Sequence, residues 1–365
     1  MIYSDTKSAA RTEAARLTAH FIAAGAQPIE AAILQPAEIL LDLYGEDIRA
    51  RAYVTADSSR GEMMLRPDFT VPVVQAHMAH GADPARYCYQ GEVFRRQQHL
   101  GNRPSEYLQV GFEVFDRNAP AEADAEVFAL FAGLLAGTRA QPVMGDIGIL
   151  MAAVQGVDTT PRRKATLLRH IWRPGRFRQL LDRFSGRAVV PAARAALLEH
   201  LATGTPEALI AATGPMIGLR AVEDIAERAA ALIEDAGTPA IAAPEAALLY
   251  DLLGLHAPAE AALAHLRGIT FMLPAIAPAV DNFAARLEAL RVRGVDVARL
   301  PFQAGLGRTT MEYYDGFTFS FEVEGLPPVA SGGRYDALTA VLGQGRSIPA
   351  VGGVILPEVM LKVRA

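Results

Sequence analysis

The sequence predicts a mixed frame of strands and helices interrupted by an all-helical segment, and three observations predict it. Between Arg86 and Phe115, apolar and polar residues alternate on both sides of a middle that collects Arg95, Arg96, His99, Gly101, Asn102, Arg103 and Pro104. That is the pattern of a β-hairpin with a long basic loop. From Gly145 the composition shifts, and Ala192 to Leu266 is dominated by Ala, Leu, Glu and Arg at helical spacing, broken at Pro206, Pro215, Pro239, Pro244 and Pro258. From Phe271 the mixed pattern returns.

Taken in order, Ser8 to Ala24 spaces Ala9, Ala14, Leu17, Phe21 and Ile22 as a helix that Gly25 ends. Gln27 to Pro36 reads as one strand, Ala37 to Tyr44 as a short helix, and Tyr53 to Ala56 as a strand. Glu62 to Thr70 is a strand ending at a proline-marked turn, and Val71 to His80 a helix with Thr70 as its cap and Pro72 in its first turn. This brings Arg66, Asp68 and Thr70 to the end of a strand, either as site residues or as a helix cap with an internal ion pair. After the hairpin, Glu122 to Leu135 is an amphipathic helix. Beyond the helical segment come a helix near Val280 to Arg293, a strand from Val295 to Leu300, and a run of aromatics from Gly307 to Val323 suited to a buried antiparallel hairpin. Gly332 and Gly333, ahead of Arg334 and Tyr335, permit close backbone approach to a ligand or form a simple turn.

Composition excludes several function classes. With 51% hydrophobic residues in 365, disorder is not the main state. Thirty-five basic against 40 acidic residues give a net charge of −5, which argues against nucleic-acid binding through bulk charge. The basic run around the single Trp172, from Arg162 to Arg178, is therefore read as a solvated helix face or a partner surface ahead of an RNA contact. One cysteine, Cys88, allows no internal disulfide and suggests a reducing compartment; within an apolar strand it reads as a small buried hydrophobe. The N-terminus lacks the blocks of a signal peptide and no apolar run reaches membrane length, so a soluble cytoplasmic protein is expected. The histidines are scattered, His170, His200 and His265 on helical segments, and no metal or cofactor is implied.

Three residues of the hairpin carry chemistry. Arg95, at the end of the first strand, has the planar fork of donors that fits phosphate or carboxylate. Gln109 and Glu113 are four apart on the return strand and share a face, where both can meet one small polar ligand. A solvated hairpin tip is the alternative, and the pattern alone leaves both open.

Together these motifs resemble the catalytic core of class II aminoacyl-tRNA synthetases, specifically the histidyl-tRNA synthetase family, over about residues 1 to 140 and 270 to 361. Leu65-Arg-Pro-Asp-Phe-Thr70 is similar to the family's Leu-Arg-Pro-Glu-Gly-Thr, Phe94-Arg95 to its motif 2 arginine, and Gln109 with Glu113 to its substrate-recognition pair. Glu312-Tyr313-Tyr314 and Gly332-Gly333-Arg334-Tyr335-Asp336 resemble its two histidine-pocket signatures. The resemblance implies an α+β fold, a six-stranded antiparallel sheet flanked by helices, dimerising through the N-terminal region. With the composition shift, it divides the chain into two parts of a core (residues 1–145 and 270–365) around a helical insertion (146–269), and, as a departure from the synthetases, the end at Ala365 leaves no anticodon-binding domain to expect. The resemblance also implies a pocket for free histidine. Asp68 and Thr70 would hold the amino group with Gln109 in support, Glu113 and Tyr314 would face the imidazole, Arg95 would meet the carboxylate, and Tyr313 and Tyr335 would complete the wall.

The departures matter as much. The family's motif 3 ends in an arginine that holds ATP phosphates, whereas here Glu358 is followed by Val359. Its Arg-Gly-Leu-Asp becomes Thr309-Thr310-Met311-Glu312, with Arg308 one position away and so on the opposite strand face, and its Arg-x-Glu becomes Arg95-Arg96-Gln97. Lost phosphate-facing arginines remove the preorganised charge on which adenylate formation depends. A retained histidine pocket on such a core resembles the paralogous regulatory subunits of ATP phosphoribosyltransferase. That resemblance implies no catalysis by this chain, a short-form catalytic subunit as partner in a hetero-octamer of four and four, and feedback inhibition by histidine. A truncated histidyl-tRNA synthetase-like ligase and an RNA-binding module are the alternatives.

Overall fold

A computed structural model describes residues 4–44, 51–96, 104–212, 221–307 and 313–364. Helix α1 (Ser4–Ala23) buries Ala10, Ala14, Leu17 and Phe21, one stripe of its surface. Residues 27–36 do not form the single strand that the sequence predicts. They split into β1 (Gln27–Pro28) and β2 (Leu34–Pro36), which join different sheets. Proline at 28 and at 36 has no N–H to give a ladder, so a continuous strand through this stretch is not sustained. Helix α2 (Ala37–Tyr44), β3 (Val54–Asp57), β4 (Gly61–Leu65) and α3 (Thr70–His80) follow.

The hairpin forms as read: β5 (Ala85–Phe94) and β6 (Glu106–Phe115) pair antiparallel over their whole length, from Ala85 opposite Phe115 to Phe94 opposite Glu106. The expected tip residues His99, Gly101, Asn102 and Arg103, and Gln97 before them, lie outside the described residues. After α4 (Pro120–Leu134) and β7 (Gln141–Asp146) come eight helices, α5 (Ile147–Gly156), α6 (Pro161–Arg169), α7 (Pro174–Phe184), α8 (Ala192–Thr203), α9 (Pro206–Ala212), α10 (Val222–Gly237), α11 (Ala243–Gly254) and α12 (Ala259–Ile269), with the short β8 (His256–Pro258) before the last. A 3-10 turn at Pro274–Ile276 leads into α13 (Ala277–Val292), then β9 (Pro301–Gln303), β10 (Phe317–Glu322), β11 (Ala330–Arg334), α14 (Asp336–Leu342), β12 (Ala350–Ile355) and α15 (Pro357–Val363).

Two expectations about this last part are corrected. Val295 to Leu300 is no strand: Gly294 turns the chain at φ +80°, and the amides of Val297 and Leu300 bond back to Val295 and Asp296, so no ladder is offered. Nor does Gly307 to Val323 pair with itself. Its described strand, β10, lies between β7 and β11, and residues 308–312 fall outside the description.

The main sheet has nine strands in the order β1-β5-β6-β12-β11-β10-β7-β9-β8. Its six central members, β5 to β7 in that order, are antiparallel throughout, and short parallel pairs, β1 with β5 and β7 with β9, extend both edges. A separate three-stranded sheet runs β2-β4-β3. Alternation along β6 divides the core. Leu108, Val110, Phe112 and Val114 face the larger apolar cluster shared with α1, α4, α13 and α15, while Phe115 joins a second cluster with Phe69, Tyr89 and Tyr335 beside α3 and α14. Gln109, Gly111 and Glu113 therefore look toward the second cluster.

Of the basic run in the helical segment, Arg163 is consumed within it, whereas Arg162, Arg169, Arg173, Arg176 and Arg178 stay exposed. Buried Arg163 donates from Nε to Asp235 at 2.6 Å and from Nη1 to the Pro239 carbonyl at 2.7 Å, and Arg194 reaches the same carboxylate at 2.7 Å. Trp172 is half-buried against the core, and His265 is an exposed partner of Asp251 at 2.6 Å. Among the described residues no helix is long and apolar enough to cross a membrane, and no group of His, Cys, Asp and Glu is placed to hold a metal ion.

Candidate functional site

The eight candidate residues come from four places that the fold brings together: Gln109 and Glu113 lie on β6, Arg95 and Tyr335 directly follow β5 and β11, Tyr313 and Tyr314 precede β10, and Asp68 and Thr70 sit at the turn into α3. Glu113, 1% exposed, is the centre. Its Oε1 accepts from the Tyr89 hydroxyl at 2.8 Å and from Thr70 Oγ1 at 3.3 Å, and its Oε2 accepts from the Tyr335 hydroxyl at 2.6 Å. Burial pushes the Glu113 carboxyl up to about 7, against the pull of those three hydroxyls, and the neighbouring charge of Asp68 adds to the rise. Tyr313 donates to Thr70 Oγ1 at 3.2 Å, and its ring stands edge-on to Tyr314 and Tyr335 at 5.0 and 6.0 Å. Burial, with Glu113 nearby, also drives the Tyr89, Tyr314 and Tyr335 hydroxyls up, so all three remain neutral donors.

Glycines make this density possible. A Cβ on Gly352 of β12 would fall on the Glu113 carboxylate, one on Gly111 would fall on the Tyr89 ring, and one on Gly333 would lie 2.7 Å from Tyr314. The Gly332-Gly333 doublet is thus strand β11 itself, pressed between β10 and β12, and the turn reading is set aside.

Asp68 sits at the turn between β4 and α3. It is 4% exposed, and neither of its carboxylate oxygens closes a hydrogen bond of good geometry. Burial raises its pKa against Arg95 and the amides of Val71 and Thr70 at the helix start. Gln109, 3% exposed, likewise leaves Oε1 without a partner. Arg95, just beyond β5, donates from Nε to the Pro67 carbonyl at 2.7 Å, and its charge acts on Asp68 and Tyr314. Its guanidinium therefore borders the pocket from the Asp68 side.

Two structural readings of this turn are overturned. Thr70 is not the cap of α3: Phe69 occupies that position without a side-chain bond, and the Thr70 hydroxyl is spent on Glu113. Arg66 does not pair with Asp68. It donates to the carbonyls of Glu92 in β5 and Ala31 in the β1–β2 connection and lies over the Phe69 ring at 4.0 Å, so that an aromatic face and two backbone carbonyls satisfy its fork.

Sequence reasoning missed Tyr89 and Gly352. Tyr89 stands opposite Gly111 in the hairpin register, and that Tyr-Gly pair was the available signal. It also missed a buried ionic chain behind the pocket: Asp124 of α4 accepts from Arg286 at 2.8 Å and from Arg334 at 2.7 Å, and Arg286 also holds Asp146 at 2.8 Å. Asp315, next to Tyr314, accepts the amides of Asp336 and Ala337 at the start of α14, and burial together with Asp336 lifts it to about 7. Cys88 is buried with its thiol pushed up to about 11, which suits the small-hydrophobe reading.

The site gathers buried acceptors that close no hydrogen bond of good geometry, a carboxylate held by three neutral hydroxyls, and one guanidinium at its margin. Comparison with known proteins bears on the family and the fold. The model of the histidyl-tRNA synthetase family matches residues 4–257 and 229–359. A protein of Mesorhizobium japonicum named ATP phosphoribosyltransferase regulatory subunit is 33% identical over 93% of this chain and 94% of its own length. A protein of the same name from Allorhizobium ampelinum is 32% identical over 91% and 92%. Among solved structures, an ATP phosphoribosyltransferase regulatory subunit/histidyl-tRNA synthetase from Bacillus halodurans superposes with a TM-score of 0.68 at 20% identity, covering 98% of this chain and 80% of that one. A histidine–tRNA ligase subunit from Alicyclobacillus acidocaldarius gives 0.61 at 22%, covering 99% and 94%. The structures share the class II synthetase fold, and the sequence relatives decide the branch: this chain belongs to the family of ATP phosphoribosyltransferase regulatory subunits.

Proposed function

We propose that this chain is the non-catalytic regulatory subunit of a short-form ATP phosphoribosyltransferase, required for the activity of its catalytic partner and for feedback inhibition by histidine at the first step of histidine biosynthesis. The assembly is a hetero-octamer of four and four, in which this chain also pairs with itself. Its own pocket, formed by Asp68, Thr70, Arg95, Gln109, Glu113, Tyr313, Tyr314 and Tyr335, takes free histidine.

One observation carries the ligand reading. Both oxygens of Asp68 and Oε1 of Gln109 are buried acceptors that close no hydrogen bond of good geometry among the described residues, the amides of Thr70 and Val71 reaching Asp68 only weakly. Such groups are costly to leave unmade. An α-ammonium group supplies three N–H donors for those three acceptors, and an imidazole N–H is the natural donor to Glu113.

Val359 supports the non-catalytic reading. It is buried in the apolar core, while the Glu358 carboxylate accepts the Leu108 amide at 3.1 Å and so braces β6. A position occupied in this way offers no cation to a phosphate. Histidine inhibits only by binding one state of the assembly more tightly than another.

The test mixes the purified chain with a short-form catalytic subunit and follows phosphoribosyltransferase activity with and without histidine, alongside calorimetric titration of histidine into this chain alone. Activation on mixing and inhibition by histidine are expected, and Glu113→Gln weakens histidine binding because the ring loses its charged partner. Histidine-driven pyrophosphate exchange with ATP would favour the ligase reading instead.

A further inference from the structure

The ligand side of Glu113 has a feature that the pocket's shape does not explain. Among the described residues, every group that hydrogen-bonds the carboxylate is a neutral hydroxyl: Thr70 from α3, Tyr89 from β5 and Tyr335 from the end of β11. The titratable groups that act on it are Tyr335, Tyr89 and Asp68, and the one charge among them, Asp68, has the same sign. Tyr314 faces the same carboxylate from the segment before β10, and Arg95 acts on Asp68 and Tyr314. A carboxylate 1% exposed, with no cation in contact among the described residues, is costly to keep ionised.

We propose that Glu113 carries a proton in the empty pocket and hands it to the ring of the incoming ligand, so that the site selects histidine as its imidazolium. The inference rests on the reading of the site as a histidine pocket. Charge accounting within that reading leads to it. The ligand's ammonium pairs with Asp68 and its carboxylate with Arg95, which leaves Glu113 and the ring to share one proton. On binding, the Glu113 O–H bond breaks, its electron pair stays on the carboxylate oxygen, and the proton forms a bond with the lone pair of the unprotonated ring nitrogen. The products are a carboxylate and an imidazolium joined by a charge-assisted hydrogen bond, which is stronger than a neutral one. No other reactant is needed. Tyr89 and Tyr335 act as positioning residues that hold the carboxylate oxygens for this transfer.

The pocket then discriminates by ring basicity as well as by shape. A histidine side chain titrates near 6.5, within reach of the Glu113 proton, whereas a 1,2,4-triazole of nearly the same outline is far less basic. Above neutral pH both free partners have lost the proton, so the complex must draw it from solvent, and affinity falls as pH rises.

The test is calorimetric titration of the full chain with L-histidine and with 1,2,4-triazole-3-alanine, at about pH 8 in buffers of different ionisation enthalpy. Uptake of about one proton per histidine bound is expected, with the triazole analogue bound at least ~10-fold more weakly, since each pKa unit of lost ring basicity is about a tenfold loss of the protonated complex. A folded Glu113→Gln variant takes up no proton. Histidine binding with no proton uptake, or an analogue bound as tightly as histidine, overturns the transfer and leaves the pocket reading intact. Absence of histidine binding to the folded chain overturns both.

Discussion

The Tyr335 hydroxyl donates a 2.6 Å hydrogen bond to Oε2 of Glu113, joining the residue after β11 to the C-terminal part of β6 across the intervening strand β12. Both side chains are buried, so the bond is shielded from water. Tyr335→Phe removes the donor and keeps the ring, which leaves an acceptor short of a partner at a cost of about 1–3 kcal/mol. The cost is largest when Glu113 is ionised. Urea unfolding at pH 8 should therefore show a greater loss than at pH 5, where the Glu113 proton already satisfies part of the site; an equal loss at both would disconnect the hydroxyl from the carboxylate's charge.

A second effect of pH comes from Asp315, raised from 3.8 to about 7 by burial and by Asp336. The sign follows from linkage. The folded chain holds the proton more tightly than the unfolded one, so the stability this group confers is present below about 4 and is lost as pH climbs toward 7. Its maximal slope is about 1.4 kcal/mol per pH unit. Asp315→Asn keeps one acceptor for the amides of α14 and removes the titration, so its unfolding free energy, measured by urea between pH 4 and 8, should vary less with pH than that of the parent chain.

Much of the site was legible in the sequence because it depends on short-range rules. Alternation fixed Gln109 and Glu113 on one face of β6, and the structure places both toward the second cluster. The turn ending at Asp68 and Thr70 could be found from its proline. What could not be read was set by contacts between strands that the chain order does not make neighbours. Gly352 lies opposite Glu113 only because β12 inserts beside β6, and nothing around Gly352 announces that pairing. Arg286 meets Asp124 across 162 positions of sequence. Val295 to Leu300 misled for the opposite reason: its apolar content suits a strand, but Gly294 and two local hydrogen bonds commit the backbone to turns.

Gly352 gives a steric test. Its Cβ in a Gly352→Ala variant would occupy the space of the Glu113 carboxylate and would also come within 2.8 Å of the Phe112 carbonyl. The carboxylate can move only by abandoning its three hydroxyls, so histidine affinity in calorimetry should drop at least ~10-fold, and overpacking should cost about 1–3 kcal/mol of stability. Gly268→Ala is the matched control. It lies near the end of α12, exposed, with nothing within 4 Å of the added methyl, and should leave histidine binding unchanged while raising stability by up to about 1 kcal/mol. Full histidine affinity in Gly352→Ala would place the ligand away from Glu113.

Asp124 ties the pocket to the helices behind it. Its Oδ1 accepts from Nε and Nη2 of Arg334 at 3.1 and 2.7 Å, and its Oδ2 accepts from Nε of Arg286 at 2.8 Å. Arg334 precedes Tyr335, and burial would weaken its charge were it not for Asp124 and Asp336, which hold its pKa above the usual arginine value. Arg286 also has Asp146 at 2.8 Å. Asp124→Ala therefore strips one buried guanidinium of its main partner and the other of half its pairing, at an expected cost of about 3–5 kcal/mol in urea unfolding. The loss should shrink when the stranded charge is also removed. In a double-mutant cycle, Asp124→Ala with Arg286→Met should be less destabilised than the sum of the two single variants, since the double change leaves fewer buried charges unpaired. Strict additivity would mean that Asp124 acts on Arg334 alone, and that α13 is joined to the pocket through packing and not through this carboxylate.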